Sequence, residues 1–290
     1  MLQMSCHPLP RFGLLLLLIL SLGGCSFTRI GYQNLDWFIN WKLRDYVSLD
    51  REQRRWLAAE VNQHLAWHCS SELPRYRVHL LALREQATSP SVEPSELQAF
   101  TPVVEQEAAR TLERLVPTIS GLISRLDDRQ ISAIERNLAK QNREMRARYL
   151  VPDLEEQNRQ RSARTQERLE TWLGRLTPAQ KQRVDEWAIQ LEGHTDIWLD
   201  NREHWQTELL SLLQQREQPW LETGVRSLLL EPETNWSEAY RAQREQNSLL
   251  LATMLSDVLR MAEPRQRQHL ERRATSLLED LDKIRCTATG

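Results

Sequence analysis

The sequence predicts an all-α fold, a multi-helix bundle of about ten helices, several of them long. Three observations carry that reading. Leu, Arg, Glu, Gln and Ala dominate, and all are good helix formers. Glycine is scarce beyond residue 25, at positions 31, 121, 174, 193, 224 and 290. No run of alternating β-branched residues signals a strand.

The elements follow in order. Phe12 to Leu22 is an apolar stretch of eleven residues. As a helix it spans about 16 Å, roughly half a bilayer core, too short to cross one. It fits the apolar region of an export signal, with Arg11 as the preceding positive charge. Residues 25–33 read as a tether and Asn34 to Val47 as the first helix. Asp50 caps the next, with Gln53 three residues later, as in a capping box. The same device returns at Leu126-Asp127-Asp128-Arg129-Gln130, at Leu176-Thr177-Pro178-Ala179-Gln180 and, more weakly, at Ala262-Glu263-Pro264-Arg265-Gln266. The four starts lie 77, 50 and 86 residues apart, too irregular for a solenoid.

Breakers set the remaining boundaries. Residues 88–96, "TSPSVEPSE", form a loop. Pro152 ends one helix, and the next runs to Gly174. Gly193-His194-Thr195 interrupts a long helix ending near Arg216. Pro219 opens a short helix, "EPETN" at 231–235 separates it from a helix over 236–261, and the last runs from Pro264 to about Ile284. The organisation expected is a signal over 1–24, a tether over 25–33, a helical hairpin region over 34–87 and a bundle over 97–286, the last two either separate or continuous. Tryptophan stripes at helical spacing, such as Val184, Trp187, Leu191, Trp198 and Trp205, read as core.

Leu22-Gly23-Gly24-Cys25 resembles the lipobox of bacterial lipoproteins. The resemblance implies cleavage before Cys25, a lipidated Cys25 thiol and an acylated new amine. The fold is then a bundle after a cleaved lipoprotein signal peptide. In such lipoproteins an aspartate at the second mature position favours inner-membrane retention. Ser26 stands there, implying the periplasmic face of the outer membrane, with the inner membrane less favoured. Two acyl chains or more give stable attachment.

Two cysteines remain for an oxidising compartment, Cys69 and Cys286. Their pairing is the expected disulfide; two unpaired thiols are the alternative. Removing Arg11 with the first 24 residues leaves 37 basic against 40 acidic residues, a net charge of −3. No sign dominates, which argues against nucleic acid as a partner.

Three further stretches, "YQNLDWFINWKLRDYVSLDREQ", "AWHCSSELPRY" and "WLGRLTPAQKQRVDEWA", resemble a family of proteobacterial lipoproteins of unknown function. That resemblance implies a lipid-anchored, all-helical envelope protein and supplies no activity. The Leu176-Thr177-Pro178-Ala179-Gln180 cap also resembles the LTxxQ motif of Spy-type periplasmic chaperones and related stress-sensing proteins.

Motifs for catalysis are missing: no GxSxG elbow, P-loop or GxGxxG occurs, and no catalytic residue or cofactor is assigned. His64 and His68, four apart beside Cys69, are the candidate metal ligands, though neither a third ligand nor the HExxH glutamate is evident. Packing is the stronger reading for both. From Arg143 to Arg168 the chain carries Arg143, Arg146, Arg148, Arg159, Arg161, Arg164 and Arg168. They read either as a solvated, ion-paired face or as a docking face for an anionic partner. The expected function is a non-catalytic, lipid-anchored helical module that binds another envelope protein or an unfolded client. The alternative is a periplasmic metal-binding, stress-sensing protein. Neither reading calls for a small-molecule substrate.

Overall fold

The computed structural model describes residues 27–191 and 193–286. The signal segment, Cys25 and Ser26 lie outside the described residues. Among those described there are no strands, and eleven helices have nine residues or more. No helix of the described residues is long and apolar enough to cross a membrane.

The order is α1 (Phe27–Gln33), α2 (Leu35–Leu43), α3 (Arg51–Trp67), a π-helical turn (His68–Glu72) and α4 (Leu73–Thr88). Then come α5 (Pro94–Gln98), α6 (Phe100–Ile123), α7 (Asp128–Tyr149), α8 (Leu154–Leu173) and α9 (Pro178–Ile189). After these follow α10 (His194–Gln214), α11 (Leu221–Leu230), a 3₁₀ turn (Pro232–Asn235), α12 (Glu238–Arg260) and α13 (Pro264–Asp282). Residues 27–33, expected as a tether, are helical: Tyr32 of α1 is held by α3, its hydroxyl donating to the Leu65 carbonyl at 3.3 Å.

Four repeated caps organise the fold. Asp50 accepts from the backbone of Glu52 and Gln53, Asp127 from Gln130, and Thr177 from Gln180. At all four starts the glutamine carbonyl accepts from its own cap's N–H: Asp50, Asp127, Thr177 and Glu263. The residue before each cap, Leu49, Leu126, Leu176 or Ala262, is buried. The glutamines then pair in space. Gln53 and Gln130 exchange amide hydrogen bonds of 2.9 and 2.7 Å; Gln180 and Gln266 do so at 3.2 and 3.0 Å.

Each second amide hydrogen reaches a backbone carbonyl of the facing turn. Gln53 donates to Arg125 O and Gln130 to Ser48 O; Gln180 donates to Val258 O and Gln266 to Arg175 O. Both hydrogens and the oxygen of each amide are therefore used. Helix starts α3 and α7 are locked together, as are α9 and α13. Abutting N-termini place like partial charges together. Asp50, Glu52, Asp127 and Asp128 stand in the first turns of one pair and offset that charge.

Each glutamine pair sits beside its own apolar core. One core holds Leu49, Leu57, Val61, Val116, Leu126, Ile131, Leu138, Leu213 and Val225. The other holds Leu169, Leu173, Leu176, Val184, Trp187, Met254, Val258, Ala262 and Leu270. The stretch near residue 90 does not divide these cores: Val92 is fully buried in the second, and Ser256 donates to its carbonyl at 2.7 Å. Gly174 ends α8 at φ +73°, and Gly193 precedes the first residue of α10 at φ +75°; glycine adopts this positive-φ region without a Cβ clash.

A third, small cluster ties the C-terminus down. Cys69 and Cys286 form a disulfide across 217 residues, packed with Leu73 and Ile284. In the chain-entropy account, closing so long a loop is worth about 5 kcal/mol.

Replacing Gln266 by Leu takes both Gln266 bonds from the buried Gln180 amide and the donor from the Arg175 carbonyl. We expect a loss of about 2–3 kcal/mol in urea unfolding, the cost of buried groups left unpaired. The double variant Gln180→Leu/Gln266→Leu should lose clearly less than the sum of the singles. Additive losses would show that the pair is not a unit.

Candidate functional site

The seven arginines do not make one face; they divide by partner. Arg146 donates to Glu203 at 2.8 Å and Asp200 at 2.6 Å, binding α7 to α10. Both hydrogen bonds raise its pKa. Arg159 pairs with Glu155 and Glu156 within the first turns of α8. Arg161 donates to Ala188 O at 2.7 Å and Thr195 at 3.2 Å, tying α8 to the break between α9 and α10. Arg146 and Arg161 therefore hold helices together, and Arg159 is satisfied within its own helix. Among the described residues Arg143, Arg148, Arg164 and Arg168 have no ion pair or hydrogen bond to their side chains. Arg148 and Arg164 both lie against the Tyr149 ring, 5.4 and 5.2 Å from its centroid.

His64 and His68 are held apart by separate partners. Thr118 donates to Glu60 at 2.9 Å, so its hydroxyl oxygen takes the His64 Nε2 hydrogen at 2.7 Å. His68 Nδ1 meets the Tyr32 hydroxyl at 3.1 Å, and its ring packs edge-on against Tyr76. Burial pushes the Tyr32 hydroxyl up to about 12. Cys69, the adjacent candidate, is in the disulfide. Among the described residues no group of three metal-ligating side chains occurs.

The π-helical turn produces a cluster that the sequence did not signal. It carries Cys69 and Glu72 inward, Glu72 to 0 % exposure, opposite Glu107 of α6 at 2 %. Arg110 grips Glu72 with two bonds of 3.1 and 3.3 Å. Arg75 grips Glu107 at 2.6 and 3.1 Å, with His79 Nε2 at 3.0 Å. Burial pushes the Glu107 carboxyl up, but Arg75 and His79 outweigh it and hold it below the usual range. Two buried carboxylates held by two arginines tie the π-helical turn and α4 to α6. Arginines at 75 and 110 opposite glutamates at 72 and 107 are the only sequence trace of it, and nothing in their spacing announces which pairs meet.

Two apolar features remain. A half-enclosed cleft of about 170 Å³ opens between α4, α5, α6, α8, α12 and α13. Leu83, Phe100, Trp172, Leu173, Leu251 and Leu270 line it, with Arg84, Gln98, Thr101 and Ser248 as its polar groups. On α2, Trp37 is 61 % and Trp41 41 % exposed, their rings stacked 6.1 Å apart. Neither feature was legible beforehand: the cleft residues come from six helices and look like ordinary core leucines in sequence.

A family model described as a family of unknown function (DUF6279) matches residues 45–241, about two thirds of the chain. The match contains Gln53, Gln130 and Gln180 but ends before Gln266 and Cys286. Neither a curated protein nor a solved structure matches the chain significantly.

Burial holds His64, His68 and His194 below the ordinary value of 6.5. The unfolded chain then binds more protons than the folded one between the folded values and 6.5. Stability is complete above 6.5 and lost as pH falls through the folded values. The urea midpoint should drop between pH 7 and pH 5, and His68→Gln should flatten that drop. A wild-type profile flat across this window would contradict burial of neutral imidazoles.

Proposed function

We propose that this chain, a member of the DUF6279 family, is a lipid-anchored, non-catalytic module of the cell envelope that binds apolar segments of other envelope proteins or unfolded clients. The observation that carries this reading is the apolar cleft between α4, α5, α6, α8, α12 and α13. An apolar cleft with a few polar groups at hand is the usual form of a binding site. Its size favours a protein client. About 170 Å³ is close to the roughly 150 Å³ cavity that accepts a single benzene. One or two apolar side chains fit that space; a whole acyl chain does not. The likeness of Leu176-Thr177-Pro178-Ala179-Gln180 to the Spy-type LTxxQ motif agrees with a client-binding role.

Location rests on separate features. Leu22-Gly23-Gly24-Cys25 resembles a lipobox, with Cys25 as the residue that would carry the lipid, and Ser26 suits transfer to the outer membrane. The exposed Trp37–Trp41 stack lies 12 residues beyond Cys25. Tryptophan favours the boundary between headgroups and hydrocarbon. A membrane facing α2 would give these rings that environment.

The protein beginning at Ser26 should suppress aggregation of a denatured substrate at near-stoichiometric amounts. Ala274→Trp, which fills the cleft, should reduce that suppression at least fivefold with helicity unchanged by circular dichroism. Wild-type protein without suppression would remove the client reading. Separately, Cys25→Ala should abolish palmitate labelling in cells; labelling that persists would remove the lipobox.

A further inference from the structure

Several arginines that join helices in this fold are neutralised at close range. Glu107 faces Arg75, Glu72 faces Arg110, and three acidic residues face Arg146. At the end of α7 and the middle of α8, arginines gather instead with one another. Arg148 and Arg164 lie on the Tyr149 ring from two different helices. Arg168 stands one helical turn beyond Arg164, on the same side of α8. Among the described residues none of the three has a carboxylate within ion-pair distance. The acidic group that acts on them is Glu167, which is exposed and acts on Arg168.

The three charges are close enough to oppose one another. Arg148 disfavours the charged form of Arg164, and Arg164 that of Arg168, on top of burial. Arg164 and Arg168 are half-buried, so water screens the repulsion only in part. Their nitrogens are still open to solvent, because none is among the buried polar atoms without a partner. An incoming anion can therefore reach them.

We propose that Arg148, Arg164 and Arg168, gathered around Tyr149, form a binding site for a phosphate group. Three positive charges match a phosphate monoester better than a single carboxylate. Each planar guanidinium offers a fork of donors, and the several oxygens of a phosphate can engage more than one fork at once. Tyr149 fixes the directions of Arg148 and Arg164 beforehand, which lowers the cost of ordering them on binding. The site depends neither on the cleft nor on the lipid anchor. Two sources share this chemistry, free phosphate and the headgroup of an acidic phospholipid.

The full chain, purified in a nonionic detergent, should be titrated by calorimetry with inorganic phosphate and, in parallel, with soluble dihexanoyl phosphatidic acid. Saturable binding of one equivalent is expected, weakened at least tenfold in Arg164→Gln and in Arg168→Gln. Arg148→Gln, at the exposed end of α7, should weaken it in the same sense, and Arg143→Gln should leave it unchanged. Tighter binding of phosphatidic acid than of phosphate, with the same dependence on these variants, identifies a lipid headgroup as the source. Comparable or tighter binding of phosphate identifies the free ion. No saturable binding of either probe, or equal binding by wild type and the Arg164 and Arg168 variants, overturns the site.

Discussion

Two pairs of buried glutamines set the geometry on which the rest of the fold depends. A helix start normally satisfies its own first N–H groups and stops there. Here the third helical residue accepts from its own cap, exchanges hydrogen bonds with an identical residue 77 or 86 positions away, and donates to the turn opposite. Only a side-chain amide can do this. A glutamate would lack the donors and bring two carboxylates together. Once these amides are buried, any displacement of α3 from α7, or α9 from α13, leaves several polar groups without partners. Apolar packing alone tolerates sliding; the paired amides do not.

A second set of constraints fixes what those two centres leave free. The π-helical turn swings Cys69 and Glu72 inward, so one local irregularity serves the disulfide to Cys286 and the Glu72–Arg110 contact together. The disulfide and the Arg77–Asp282 pair hold the C-terminal segment against α4. That placement matters for the cleft, because α4 and α13 form two of its walls. The wall spacing is thus set by a covalent link and charged pairs outside the cleft rather than by side chains filling it.

The two proposed binding regions are places where the chain leaves its own physical requirements incomplete. In the cleft, leucines and aromatic rings face a space that no side chain of the described residues fills. Around Tyr149, Arg148 and Arg164 share one ring with Arg168 a helical turn beyond, and among the described residues none of the three has a carboxylate within ion-pair distance. In the scaffold the same residue types are used up, leucines in two cores and arginines such as Arg146 and Arg183 in interhelical pairs. The contrast lies in the surroundings, not in the residue types.

The sequence alone determined the helical class, most helix boundaries and the four capped starts, because these depend on residues within one or two turns of each other. Asp50 with Gln53 and Thr177 with Gln180 announce a capping box at a spacing of three. Cysteine arithmetic likewise led to Cys69 and Cys286, since few thiols leave few pairings. Tertiary structure decided what the glutamines do beyond their own caps, which arginines are consumed and which remain, and where an apolar wall stays uncovered. Seven arginines in one stretch look alike in sequence; Arg146 meets α10, Arg161 meets the turn after α9, and Arg164 meets Tyr149. Those differences arise from helix rotation and long-range packing. Local propensity carries no record of either.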